Sequence, residues 1–306
     1  MLQVKAYAKI NPYLAVTGRR EDGYHTILSH MQAVSLCDEL SIAWTAAADA
    51  PFSIRMTCSD ASLACDDTNL VCRAAKALAI AAEQKGCAVG GELSVHLQKN
   101  IPMAAGLAGG SADAAATLRA FNALLGYPLD TDEMCEIAVR LGADIPFCVR
   151  CTEHGAMTAR GIGEVLTYAP TLPSGAHLVI ACHGEGVSTP WAYRKLDELG
   201  TPDADTTERA YADFLAALEH GDLAALTSHS HNCFERAVLP EREAVGMLME
   251  TMTACGAVFA RMSGSGPSVV GYFDGECAAQ HCARQLTQRG IRAYCCQPRS
   301  SENNGL

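Results

Sequence analysis

A two-domain α+β fold is what this sequence predicts, on three observations. The first half sets short β-branched runs against alanine-rich stripes of helical period. Past mid-chain, Thr167-Tyr168-Ala169-Pro170-Thr171-Leu172-Pro173-Ser174-Gly175 breaks both periodicities and reads as a boundary. Beyond it the elements follow the order β-α-β-β-α-β with extra helices, the ferredoxin-like arrangement. Length agrees, since 306 residues are enough for about two domains. The expected division is 1–168, 175–298 and a polar, mobile tail over 299–306.

Each element has its own signal. Val4–Ala8 and Asn11–Val16 read as strands flanking a Lys9-Ile10 step, with Asp38–Trp44 and Leu93–Gln98 as two more. Leu70, Ala74, Leu78 and Ala81 form a helical stripe over Asp67–Lys85 that stops at Gly86. A second helix starts near Ser111 and carries Ala114, Leu118, Phe121 and Leu125 up to Gly126 and Pro128; a third spans about Thr131–Arg140. After the boundary come a strand at His177–Cys182, helices at Pro190–Leu199, Glu208–Leu218 and Arg242–Cys255, and strands at Ala257–Met262 and Ser268–Phe273. A helix at Glu276–Arg289 and a strand at Ile291–Gln297 close the order. Pro12 lacks a ladder donor and disturbs strand pairing where it stands.

Composition excludes several function classes. A net charge of −11 without a basic stripe argues against nucleic acid. No apolar run reaches ~18 residues and the N-terminus has no signal-peptide layout, so neither a membrane nor export is expected, and the default is the cytoplasm. Fifteen scattered cysteines, an odd number, fit free thiols in a reducing compartment better than a disulfide frame. Cys148-x-x-Cys151 has no second pair or histidines at zinc spacing.

The chemistry concentrates in one stretch, Pro102-Met103-Ala104-Ala105-Gly106-Leu107-Ala108-Gly109-Gly110-Ser111. It joins a glycine turn to a strong helix former, and the unpaired N–H groups of a helix start attract phosphate. The spacing fits neither a Walker loop nor the dinucleotide fingerprint. Three further segments stand out. Lys9 lies in an apolar strand pattern, where a cation is costly to bury unless an anion meets it. Asp144 sits in the apolar turn Gly142-Ala143-Asp144-Ile145-Pro146-Phe147, which suits a turn former or a functional carboxylate. Ser263-Gly264-Ser265-Gly266-Pro267 is a second glycine-rich loop between strands.

In order and spacing these segments resemble the GHMP small-molecule kinases, from about Val4 to Gln297. Ala8-Lys9-Ile10-Asn11, Asp22-Gly23-Tyr24-His25-Thr26, Asn69-Leu70-Val71 and the two glycine-bounded motifs resemble, more narrowly, a branch whose acceptor alcohol carries a cytidine diphosphate. The resemblance implies an N-terminal α/β domain of the ribosomal-protein-S5-domain-2-like type, a ferredoxin-like C-terminal domain and an active site in the cleft between them. It implies ATP-dependent phosphorylation of a hydroxyl on a cytidine diphosphate-linked polyol in isoprenoid precursor synthesis, with Mg²⁺. Homoserine or mevalonate kinase is the alternative within the family, and an inactive GHMP-fold binding protein the alternative outside enzymes. Oligomeric state, monomer or homodimer, stays open.

The same resemblance puts Lys9 and Asp144 at the reacting hydroxyl and the 102–111 loop around the triphosphate. Asn69 and Lys99 are then nucleotide candidates, and Ser111 is the candidate metal ligand. Asn11 supports the reacting groups as a hydrogen-bonder. Tyr24 and His25 are expected to stack on and read the cytosine, with Tyr193 an aromatic on its other face.

Overall fold

The structure, a computed structural model, describes residues 1–184, 186–200 and 203–300. Every residue from Ala6 to Val16 is buried, so the first strand, β1 (Leu2–Arg19), is covered on both faces and runs unbroken through Lys9. The expected gap there is instead a set of bulges. Between Ile10 and Tyr13 β1 spends three residues against two of β2 (His25–Ala46), its antiparallel partner. The extra residue sits at Asn11-Pro12, where proline has no N–H to offer. It also shifts the side-chain parity, so that Ala8, Ile10, Tyr13 and Ala15 all reach the same core.

β3 (Phe52–Cys58) and β4 (Gly91–Gln98) extend this sheet beyond β2, while β5 (Ala156–Arg160) and β6 (Val165–Tyr168) pair off the first half of β2. Helices α1 (Leu70–Gln84), α2 (Gly109–Leu124), α3 (Thr131–Leu141) and the short α4 (Ile145–Arg150) cover one face. Asp130 and Glu133 close a capping box at α3, fixing its start at the expected residue. The first half of β2 escaped sequence reading because it buries Ser29, His30 and Gln32, polar residues that mask the strand pattern.

The second sheet contains β7 (His177–Cys182), β9 (Phe259–Met262), β10 (Val269–Phe273) and β11 (Arg292–Cys296) in the antiparallel order β11-β7-β10-β9. Numbered by their place in the chain this is 4-1-3-2, the ferredoxin-like order the sequence predicts. Helices α5 (Thr189–Leu199), α6 (Ala204–Glu219), α9 (Glu243–Ala254) and α10 (Glu276–Gln288) accompany it, with the single turns α7 (Leu223–Leu226) and α8 (Glu235–Val238) between. The two-residue β8 (His231–Asn232) leaves this half and pairs parallel with β1, bringing the first sheet to seven strands. No helix among the described residues is long and apolar enough to cross a membrane.

One core cluster runs between the halves, combining Ile10 and Tyr13 of β1 with Ile180, Phe214 and Tyr272. The chain end is fastened there too. Arg299 donates its N–H to Ala33 O (2.9 Å) and Gln32 Nε2 donates to Arg299 O (2.9 Å), so residues through 299 lie ordered along β2. The expected mobile tail is corrected at its start; 301–306 lie outside the described residues.

His30 is fully buried, set edge-on to Phe214 at 5.3 Å, and neither ring nitrogen has a hydrogen-bond partner among the described residues. Burial pulls its pKa from 6.5 to about 3. The unfolded chain therefore binds the extra proton first, and stability falls as pH drops from about 6.5 toward 3. Replacing His30 with Phe is expected to flatten this part of the stability–pH curve, measured by urea unfolding at a series of pH values. An unchanged slope would show that other groups set the acid limit.

Candidate active site

Two glycine loops meet because Gly106 carries no side chain at the contact. Gly106 (φ +77°) and Gly264 (φ +56°) are in the left-handed region, and a Cβ at Gly106 would lie 2.3 Å from Ser263 O. Ser263 Oγ donates to Gly106 O (3.1 Å), while Asn232 Nδ2 donates to Met262 O (2.7 Å) and Gly264 O (2.9 Å). The bulged β1 secures the other flank, where Lys9 N–H donates to Leu107 O (3.1 Å). Within the first loop Pro102, Ala105 and Leu107 are buried and anchor it to the core, whereas Met103 is exposed and Ala104 takes φ +50°. Ala108, also left-handed, precedes α2 without capping it through a side chain, and the first turn, with Gly109, Gly110 and Ser111, carries no acidic residue. A 16-residue helix thus begins with free N–H groups and a positive dipole end.

These loops border a cavity of about 610 Å³ that also takes in Lys9, Asn11, Tyr24, His25, Ser111, Asp144 and Tyr193. Asp144 occupies the N-cap of α4 but makes no capping hydrogen bond, so the turn-former reading fails for its side chain. Its Oδ2 lies 3.8 Å from the Lys9 ammonium, which is almost fully buried while the carboxylate is about one-third exposed. Lys9 Nζ donates to Asn11 Oδ1 (2.7 Å), Asn11 Nδ2 to Ser29 Oγ (2.9 Å), and Ser29 Oγ to Tyr13 O (2.8 Å). This relay fixes which way the ammonium points, and Asn11 is within reach because residues two apart in a strand share a face.

Elsewhere on the lining, Tyr24 is 61% exposed. His25 stacks on Tyr193 (centroids 4.4 Å, 16° between planes), and its Nε2 lies 2.7 Å from Asp197 Oδ1. Burial first, then nearby Cys233 and Asp144, raises the Tyr193 phenol pKa, keeping it neutral. Phe234 meets the same ring edge-on. The three rings expected at the base thus lie on one cavity, with His25 on one face of Tyr193 and Tyr24 largely exposed.

Two expected nucleotide ligands do not reach the cavity. Asn69 caps α1, accepting from Val71 N–H (2.9 Å) and donating to Ala64 O (2.7 Å). Lys99 is buried between Asp38 and Asp113, with Nζ 2.8 Å from Asp113 Oδ2. Burial lowers the Lys99 pKa, but Asp113 and Asp38 together outweigh it and the net shift is upward. Burial dominates at Asp113, whose pKa rises despite the ammonium. Asp38 also accepts the Ile101 N–H (2.8 Å), so the cluster ties both legs of the loop to β2. Sequence reading missed Asp38, Asp197 and Asn232, each an isolated polar residue outside any motif.

Residues 69–151 match the GHMP kinases N terminal domain, and residues 214–292 the GHMP kinases C terminal domain. The chain is 39% identical to a 4-diphosphocytidyl-2-C-methyl-D-erythritol kinase of Synechococcus sp. (strain CC9605), covering 98% of each chain. The chain belongs to this kinase family. A relative of the same name in Clostridium novyi (strain NT) is 36% identical over 91% of this chain and 93% of its own. A crystal structure titled 4-(cytidine 5'-diphospho)-2C-methyl-D-erythritol kinase superposes with a TM-score of 0.77 at 30% identity, over 97% of this chain and 99% of that one. As a member of the 4-diphosphocytidyl-2-C-methyl-D-erythritol kinase family, the chain is an ATP-dependent small-molecule kinase of GHMP fold.

Lys99→Met leaves two buried carboxylates without their cation, at an expected cost of about 3–5 kcal/mol in urea unfolding. A raised KM for ATP with unaltered stability would return Lys99 to the nucleotide.

Proposed function

We propose that this chain transfers the γ-phosphoryl group of ATP to the 2-hydroxyl of 4-diphosphocytidyl-2-C-methyl-D-erythritol. The observation that carries the reading is Asp144, a carboxylate that caps nothing, facing a buried ammonium in a cavity bordered by both glycine loops. The names of the relatives supply the acceptor. The setting is a reducing cytoplasm, in keeping with fifteen free thiols.

The triphosphate lies along the 102–111 loop against the N–H groups at the start of α2, where no acidic first-turn residue competes with it. Asp144 takes the proton of the acceptor hydroxyl as its oxygen bonds to the γ-phosphorus and the bond to the β-phosphate oxygen breaks, releasing ADP. Lys9 keeps Asp144 ionised and meets the charge on the transferring group, and Asn11 holds Lys9 in that direction. The nucleotide's Mg²⁺ belongs to the same proposal and neutralises triphosphate charge. Ser111, which lines the cavity at the start of α2, would be the residue to help triphosphate oxygens and water hold the ion. Tyr24 offers its open face to the cytosine, His25 its edge, and Tyr193 backs the imidazole.

Phosphorylation of this acceptor, followed by ³¹P NMR of the product, tests the reading directly. Asp144→Asn is expected to lower kcat by at least ~10²-fold with little change in ATP affinity, because the general base acts in the transition state. Unimpaired turnover by Asp144→Asn would remove the carboxylate from the chemistry.

A further inference from the structure

Asp197, on α5, is part of no motif, yet it touches the one ring nitrogen that decides what His25 can recognise. A carboxylate only accepts, so at the 2.7 Å contact the His25 Nε2 carries a hydrogen. In the neutral imidazole Nδ1 is then the acceptor. Nδ1 has no hydrogen bond of its own among the described residues, and His25 lines the cavity. The ring cannot turn over freely to exchange its nitrogens, because Tyr193 covers one face at 4.4 Å and Phe234 buttresses Tyr193. Arg19 Nη1 lies 3.5 Å from the other Asp197 oxygen, Oδ2, which leaves Oδ1 for His25.

We infer that Asp197 is a positioning residue that locks His25 in the Nε2–H tautomer and thereby selects a cytosine over a uracil base in the acceptor. The inference rests on the cytidine-bearing acceptor proposed above. Cytosine presents an exocyclic amino group where uracil presents a carbonyl oxygen. An acceptor at Nδ1 pairs with the amino donor and faces the uracil oxygen lone pair to lone pair. A site that leaves polar groups unpaired rejects an analogue far more strongly than one that loses apolar contact. Without Asp197 the other tautomer becomes accessible, Nδ1 gains a hydrogen, and the uridine analogue is accepted.

The test compares kcat/KM for the cytidine acceptor with that for its uridine diphosphate counterpart. Asp197→Ala is expected to lower the cytidine-to-uridine ratio at least ~10-fold, chiefly through KM, because the reacting groups at Asp144 are untouched. Nitrogen-15 NMR of the imidazole, assigned by loss of its signals in His25→Ala, is expected to show the Nε2–H form in the parent protein and a mixture in Asp197→Ala. A ratio and tautomer both unchanged in Asp197→Ala would overturn the inference while leaving the kinase reading intact. Failure of the parent protein to phosphorylate either acceptor would instead strike at the acceptor assignment.

Discussion

The approach of Gly106 to the Ser263 carbonyl is the contact on which the rest of the site depends. Two backbone segments lie close enough that a single methyl group on the first would sit 2.3 Å from the second. With that contact made, the loop before α2 is held on one side by the late glycine loop and on the other by the N–H of Lys9. The strand that supplies this N–H also supplies the buried ammonium. One short stretch of β1 therefore meets the phosphate loop and supplies the buried ammonium, and two of the strand's three register shifts flank it.

Burial explains how a cation survives in that position. Lys9 is surrounded by apolar strand residues, but its ammonium meets Asn11 Oδ1 and the Asp144 carboxylate, and Asn11 is itself hydrogen-bonded to Ser29. Each polar group is satisfied by the next. The Asp38–Lys99–Asp113 cluster pairs its charges beneath the loop, with Asp113 Oδ1 left without a hydrogen-bond partner among the described residues. Two lysines that look alike in sequence thus have separate surroundings, set by which carboxylates meet them and whether those face the cavity.

Much of this was legible in the residues. The glycine loops, Lys9 and Asp144 stood out because small residues and buried charges violate ordinary propensity, and β7 has the limits its apolar run suggests. The ferredoxin-like order followed from element sequence alone. Long-range pairing was not legible. β8 is two residues long and has no local signal, the first half of β2 is disguised by buried polar side chains, and Asp197 acquires meaning only once α5 lies beside His25. The carboxylate partners of Lys99 were hidden for a related reason, since adjacency in sequence to a phosphate loop says nothing about which face of the loop a side chain takes.

If contact between the loops sets the catalytic geometry, a minimal change at Gly106 should disable the enzyme without unfolding it. The most direct measurement is kcat/KM and thermal midpoint for Gly106→Ala, with ATP and the cytidine-bearing acceptor. A displacement of about 1 Å at a positioning element costs on the order of 10²-fold in rate, so a loss of that size with the cooperative unfolding transition retained is the expected result. Parent-level turnover by Gly106→Ala would contradict the account, because it would mean the two loops need not touch for the phosphoryl group to be transferred.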